Sequence, residues 1–221
     1  MEDLNKEMRA LIDKEAIREL VNLYCQAADR HDHELMRSLY HEDAEDDHGS
    51  FFRGKAMEFI DMLPEIQSNM AILHHNVTTH NIKLNGNKAE GETYIIAFHK
   101  VKDEAQGHDV LIGGRYFDKY EKRKGVWKFS KRVVDADWVY VNQPSEVNLE
   151  HPMIQGANIG TCDPTDPLYL HLKSFRRGLS PTACGAGEDS GPAPPLGPPL
   201  SVPRSWRPPG VECSRSPPPS G

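Results

Sequence analysis

A histidine, a carboxylate, a tyrosine and an arginine stand out in this sequence as groups that could together move a proton. His75 follows His74 in a segment running towards Ile82-Lys-Leu84. Successive side chains of a strand point to opposite faces, so one imidazole should face inward and the other away. An imidazole titrates near neutrality and is the commonest general base. Asp29 follows Ala27-Ala28, and a carboxylate beside such small residues needs a partner, because burying an unpaired charge is costly. Tyr24 precedes it by five positions, about 140° away on an ideal helix. The two share one cavity only if Asp29 sits on the last, frayed turn, and Arg30-His-Asp-His33 beyond it makes a helix end there. Arg132 lies on the last strand, where a fixed cation can stabilise a developing anion. His48, before Gly49, is placed facing the same cavity, and His74 and Trp138 are further candidates for binding a substrate there. Taken singly, each group has a plainer reading. Asp29 would be a surface carboxylate, a strand histidine a satisfied structural residue, and Arg132 a solvated neighbour of Lys131.

The elements that must position these groups follow from periodicity. Residues 13–31 read as an amphipathic helix capped by Asp13, with Ile17, Leu20, Val21, Leu23, Tyr24, Ala27 and Ala28 at helical spacing. A short helix follows Asp32, and a third runs from Lys55 to about Leu63, with Pro64 near its end. The period then changes to that of strands. Asn85-Gly86-Asn87 marks a hairpin into Gly91–Phe98, and Arg123-Lys-Gly125 joins Val110–Lys122 to Val126–Tyr140. Helices first and long strands second predict an α+β fold. The expected form is a cone-shaped barrel of bent antiparallel sheet with the N-terminal helices packed on it, its mouth a small-molecule pocket.

Composition narrows the function classes. The chain has 221 residues with a net charge of −7, which argues against nucleic acid as a partner, since that affinity needs a basic face. Tyr94–Phe98 is the longest purely apolar run, far below the roughly 18 residues of a membrane span. The acidic start Met1-Glu-Asp-Leu-Asn-Lys has no apolar signal region. A cytoplasmic protein is expected, with Cys25, Cys162, Cys184 and Cys213 as free thiols. His31, His33, His41 and His48 lie among acidic residues but lack a closed ligand spacing, so no metal site is expected. Residues 178–221 contain 12 Pro and 7 Gly in 44 positions and no hydrophobic period. The expected organisation is a folded domain over 1–177 and a disordered tail over 178–221.

Tyr24-x4-Asp29, His75 seven residues before Ile82, and Leu111–Lys131 (LIGGRYFDKYEKRKGVWKFSK) together resemble the SnoaL-like branch of the nuclear-transport-factor-like superfamily. The strand segment is most similar to hexachlorocyclohexane dehydrochlorinase. The Tyr/Asp/His spacing resembles bile-acid 7α-dehydratase, with scytalone dehydratase more distant. The likeness covers roughly residues 8–178, closing with Asp166-Pro-Leu-Tyr and Phe-Arg-Arg-Gly178. It implies a cone-shaped fold, often a homotrimer or alternatively a dimer, that eliminates HX or water from a small hydrophobic or polycyclic molecule without metal or organic cofactor. The family's His–Asp dyad falls on His75 and Asp29, and its anion-stabilising arginine on Arg132. The position that is Lys in the dehydrochlorinase and Tyr in the bile-acid enzyme falls on Tyr24, which implies an oxygen rather than a chloride leaving group. Arg132-Val-Val-Asp-Ala-Asp-Trp138 departs from the dehydrochlorinase, so substrate identity does not carry over. A lyase is expected; a cyclase, a ketosteroid-isomerase-like enzyme or a non-catalytic ligand-binding module of the same fold are the alternatives.

Overall fold

The computed structural model describes residues 2–102, 107–172 and 174–178, all within one compact unit, Met1–Gly185. The Pro/Gly-rich segment lies outside the described residues except for Gly178. Three helices and a six-stranded sheet form the body. Helix α1 (Glu2–Asp29) leads through a sharp corner into α2 (His33–Leu39), then β1 (Tyr40–Asp47), β2 (Arg53–Lys55) and α3 (Ala56–Ser68). Four long strands follow: β3 (Met70–Asn85), β4 (Lys88–Val101), β5 (His108–Arg123) and β6 (Val126–Asn142). A 3-10 turn (Pro152–Ile154) and the short helix α4 (Pro167–His171) lie in the segment beyond. Among the described residues no helix is long and apolar enough to cross a membrane.

The sheet order is β2-β1-β6-β5-β4-β3, so the sheet is curved and open rather than a closed barrel. Its edges are β2 and β3. All neighbours are antiparallel except β1 and β6, which run parallel with Asp46 opposite Arg132. That pairing departs from the expected all-antiparallel sheet. Register shifts between Val77 and Thr79, Gly113 and Gly114, and Lys119 and Tyr120 bend strands that would otherwise be too long to wrap a single layer of helices. Gly114 sits in such a bulge, where a Cβ would come within 2.4 Å of the Asp135 carbonyl oxygen. The two hairpins turn at Gly86, with φ +59°, and at Lys124-Gly125, with φ +53° and +83°, the left-handed pair that a two-residue turn requires.

Register sorts the side chains into two faces. His75, Ala97 and Ile112 share one rung and face the helices, whereas His74, Phe98, Leu111 and Tyr140 share the next and face away. The core lies between the inner face and α1–α3, with Ile17, Val21, Leu35, Leu39, Tyr40, Ile60, Tyr120 and Phe129 fully or almost fully buried. Two helices run beyond their expected ends. Helix α1 starts at Glu2 rather than at residue 13, and α3 continues through Pro64 to Ser68. The last turn of α3 is held from outside: Gln67 Nε2 donates to the Ala28 carbonyl at 3.1 Å, and Gln67 Oε1 meets His33 Nε2 at 2.7 Å.

Candidate active site

The corner after α1 places the first carboxylate. Asp29 is the last helical residue, and His31 adopts φ +49°, a left-handed residue of the kind that terminates helices. The Asp32 N–H returns to the Ala27 carbonyl at 2.9 Å, and Asp32 Oδ1 caps α2 at the Leu35 N–H, 3.0 Å away. The C-terminal segment closes the corner. Arg177 donates to the carbonyls of Arg30 (2.7 Å) and His31 (2.8 Å), the Gly178 N–H reaches Asp32 Oδ2 (2.9 Å), and Arg30 Nε pairs with Asp166 at 3.2 Å.

From this corner Asp29 projects onto β3. Its Oδ1 lies 2.6 Å from His75 Nδ1, and the His75 backbone N–H donates to both oxygens, at 3.2 and 3.1 Å. The side chains are 11% and 12% exposed. An ionised carboxylate only accepts, so Nδ1 carries the proton and Nε2 is left with a lone pair. The arrangement is a base whose tautomer and ring angle are fixed by one carboxylate.

Tyr24 lies deeper, its ring packed edgewise on Tyr40, Tyr116 and Phe129 at 6.4, 5.7 and 6.0 Å between centroids. Burial pushes its pKa well up, against the opposing pull of Arg132, so the hydroxyl stays protonated and is a donor. Arg132 is 0% exposed. Its Nε and Nη2 clamp Asp118 at 2.7 and 2.8 Å, and its guanidinium stands 3.9 Å from the Tyr24 ring centroid and 4.1 Å from that of Tyr116. Burial opposes its charge, but Asp118 outweighs that and holds the guanidinium ionised. Its buried Nη1 has no hydrogen-bond partner among the described residues. Arg132 therefore supplies positive potential behind Tyr24 instead of reaching into open space.

His48 and His99 also face inward. His48 Nε2 lies 2.9 Å from Asp46 Oδ1, its ring stacked on Phe59 at 4.2 Å, and Tyr40 donates its hydroxyl to Asp46 Oδ2 at 2.8 Å. His99, which the sequence reading missed, stands 5.4 Å from the His75 ring, with its buried Nε2 unpartnered among the described residues. Burial and then the neighbouring His75 lower its pKa to about 4. Only its alternation with Ala97 along the strand could have signalled it.

His74 and Trp138 stand apart from this group. His74 is exposed on the outer face, one residue out of phase with His75. Trp138 pairs with Gly113 across the bulge and lies on that same outer face. A Cβ on Gly113 would come 2.1 Å from the indole ring. Neither side chain shares the face that carries His75, where the sequence reading places both. Among the described residues, no three His, Cys, Asp or Glu side chains converge as metal ligands.

A curved α+β sheet thus carries a carboxylate-held histidine on its inner face. The chain belongs to the SnoaL-like domain family, which matches residues 9–133. A type 2 hexachlorocyclohexane dehydrochlorinase (LinA) is similar in structure, with a TM-score of 0.59 and 21% identity over 64% of this chain and 97% of that one. The type 3 enzyme from Novosphingobium barchaimii LL02 gives a TM-score of 0.59 at 20% identity, covering 64% and 98%. A protein assigned as a scytalone dehydratase from Novosphingobium aromaticivorans gives 0.55 at 23%, covering 67% and 94%. No curated protein matches the sequence.

Proposed function

We propose that this chain is a cofactor-independent lyase that eliminates water from a small hydrophobic or polycyclic molecule. The observation that carries this reading is the 2.6 Å contact between Asp29 and His75 Nδ1. A binding module has no use for a buried carboxylate that turns the lone pair of one imidazole outward. His75 Nε2 takes a proton from a carbon next to an electron-withdrawing group, and Asp29 stabilises the imidazolium. The C–H electrons form the new double bond, the C–O bond breaks, and the proton returns through His75 to the departing hydroxide, so that water leaves. Tyr24 hydrogen-bonds the departing or carbonyl oxygen. Arg132 is a positioning residue here: buried against the Tyr24 ring, it biases that hydroxyl towards donation. His48 and His99 provide polar contacts for an oxygenated ligand. Two structural relatives are named for eliminations, a dehydrochlorinase and a dehydratase, and this supports the reaction type.

We place the protein in the cytoplasm as a homo-oligomer, most simply a trimer, associating through the outer sheet face. Tyr94, Ile96, Phe117, Trp138 and Tyr140 are all exposed there, and clustered exposed apolar side chains of this kind mark association surfaces. The functional test is turnover of pooled hydroxylated, polycyclic and halogenated compounds by the wild type, His75→Ala and Asp29→Asn. Loss of an alkene product in both variants is expected. Deuterium exchange at carbon without loss of water would replace elimination by isomerisation, and full turnover by His75→Ala would overturn the mechanism.

A further inference from the structure

Helix α1 carries two apolar faces that point in nearly opposite directions. From Ile17 onward, Ile17, Leu20, Val21, Tyr24 and Ala28 are buried against the sheet. In the first three turns the apolar residues are Leu4, Met8, Leu11 and Ile12, and they are 59%, 50%, 66% and 64% exposed. At about 100° per residue these four fall within an arc of about 100°, centred roughly half a turn from the buried face. Leu4, Met8 and Leu11 are therefore not a continuation of the core stripe, whereas Ile12 borders a cleft with Ala16, Leu20, Leu23 and Trp127. Residues 3–9 are all exposed, and Asp13 is where α1 first ties to the sheet, through Lys122 Nζ at 2.7 Å and Trp127 Nε1 at 2.8 Å. The helix thus projects about 15 Å from its anchor. A free helix of that length is marginal in water.

We propose that this projecting segment docks against the same segment of a second copy, packed antiparallel. Leu4, Met8 and Leu11 have the four-then-three spacing of a coiled-coil seam. On one flank of that seam stand Glu7 and Lys14, seven residues apart. A two-fold antiparallel pairing with Met8 against the partner's Leu11 brings Glu7 to the partner's Lys14, and does so twice. Lys14 has no ion-pair partner among the described residues. Parallel pairing would set Glu7 against the partner's Ile12 and gain nothing there. The apolar contact would bury roughly 800 Å² in total, below the ~1,200 Å² of an interface that is stable alone, so the pairing depends on concentration. It uses a surface separate from the sheet face and from the His75 site.

The test is sedimentation velocity on the full chain carrying Ile96→Glu and Trp138→Glu, which removes association through the sheet. A reversible dimer is expected to grow in between about 10 and 300 µM, the range open to so small an interface. Met8→Lys with Leu11→Lys, at exposed positions that leave the core intact, should weaken it at least about tenfold. Glu7→Lys or Lys14→Glu alone should weaken it by roughly threefold or more at low salt, and the two together should restore it. A monomer throughout, or a dimer indifferent to the lysine substitutions, overturns the docking surface. Charge reversals without loss or without rescue overturn the antiparallel pairing. If the sheet-face variant does not fold, the same series is read on the wild-type background as species larger than the sheet-mediated oligomer.

Discussion

Replacing Asp29 by Asn should reverse the tautomer of His75 while leaving the fold standing. In the native site one carboxylate serves two donors, the ring Nδ1–H and the His75 backbone N–H. An amide has one accepting atom and one donating group. With its oxygen towards the ring, the NH₂ would meet the backbone N–H head on, at the position where the native distance is 3.1 Å. With the oxygen towards the backbone, the NH₂ donates to Nδ1 and every group is paired, provided the ring proton moves to Nε2. The second arrangement wins because an unpaired buried donor costs about 1–3 kcal/mol. Stability should therefore fall by only about 1 kcal/mol, whereas Asp29→Ala, which abandons both donors, should lose about 3–5 kcal/mol. In a domain of this size that corresponds to a melting point lower by about 10 °C. Turnover should drop by orders of magnitude in the Asn variant, since Nε2 would now hold a proton. Nitrogen-15 NMR of the imidazole, assigned by its absence in His75→Ala, reads the tautomer directly. A native-like Nδ1–H signal in Asp29→Asn would refute this account of the site.

The buried ion pair gives a second prediction: Arg132→Met leaves Asp118 with the Tyr120 hydroxyl at 2.9 Å but no cation, and denaturant unfolding should show a loss of about 3–5 kcal/mol. His99 gives a pH dependence. Its folded pKa of about 4 lies below the unfolded value of 6.5, so its share of stability is fully present above pH 6.5 and is lost as the pH falls towards 4. His99→Leu should flatten that acid limb, by at most about 3 kcal/mol, in melts at pH 7 and 4.5; an unchanged limb would place the titrating group elsewhere. On the sheet face, Ile96→Glu with Trp138→Glu should convert the larger species to a smaller one in sedimentation at micromolar concentration. Wild-type chain already monomeric there would dismiss the sheet contact.

The order of helices and strands and both hairpins could be read from local period and turn chemistry, because each depends on neighbours in sequence; alternation says only that one of His74 and His75 faces inward, and the register with Ala97 decides for His75. Asp29 is legible locally: small residues before it and a polar run after it mark a helix end. What escaped depends on distant partners. The acidic run His41–His48 has no apolar period, yet Asp46 is buried because the Tyr40 hydroxyl donates to it and a parallel strand 86 positions away covers it. Pro64 reads as a stop, yet α3 continues because Gln67 is anchored on α1 and α2. The start of α1 was missed since its apolar residues change side between Ile12 and Ile17, which defeats any single-phase pattern. Trp138 reads as a cavity residue, yet a bulge at Gly113–Gly114 reverses the alternation along β6, and nothing in the local sequence marks that slip. Arg132 reads as a cation at the pocket, and it is Asp118, its partner on β5, that holds it in the core.

The bond from the His75 backbone to Asp29 has a consequence beyond acid–base chemistry. Strand β3 is the last in the sheet, and the amide that Asp29 engages points outward from that edge. Open edges of this kind are templates on which other chains can add strands. A few residues earlier the Ala71 carbonyl on the same edge receives the Cys162 thiol at 3.7 Å. The carboxylate that orients the base is thus also a stopper on an otherwise available strand. Variants that lose it expose a ready site for intermolecular β-pairing, so the residue is constrained by solubility as well as by chemistry.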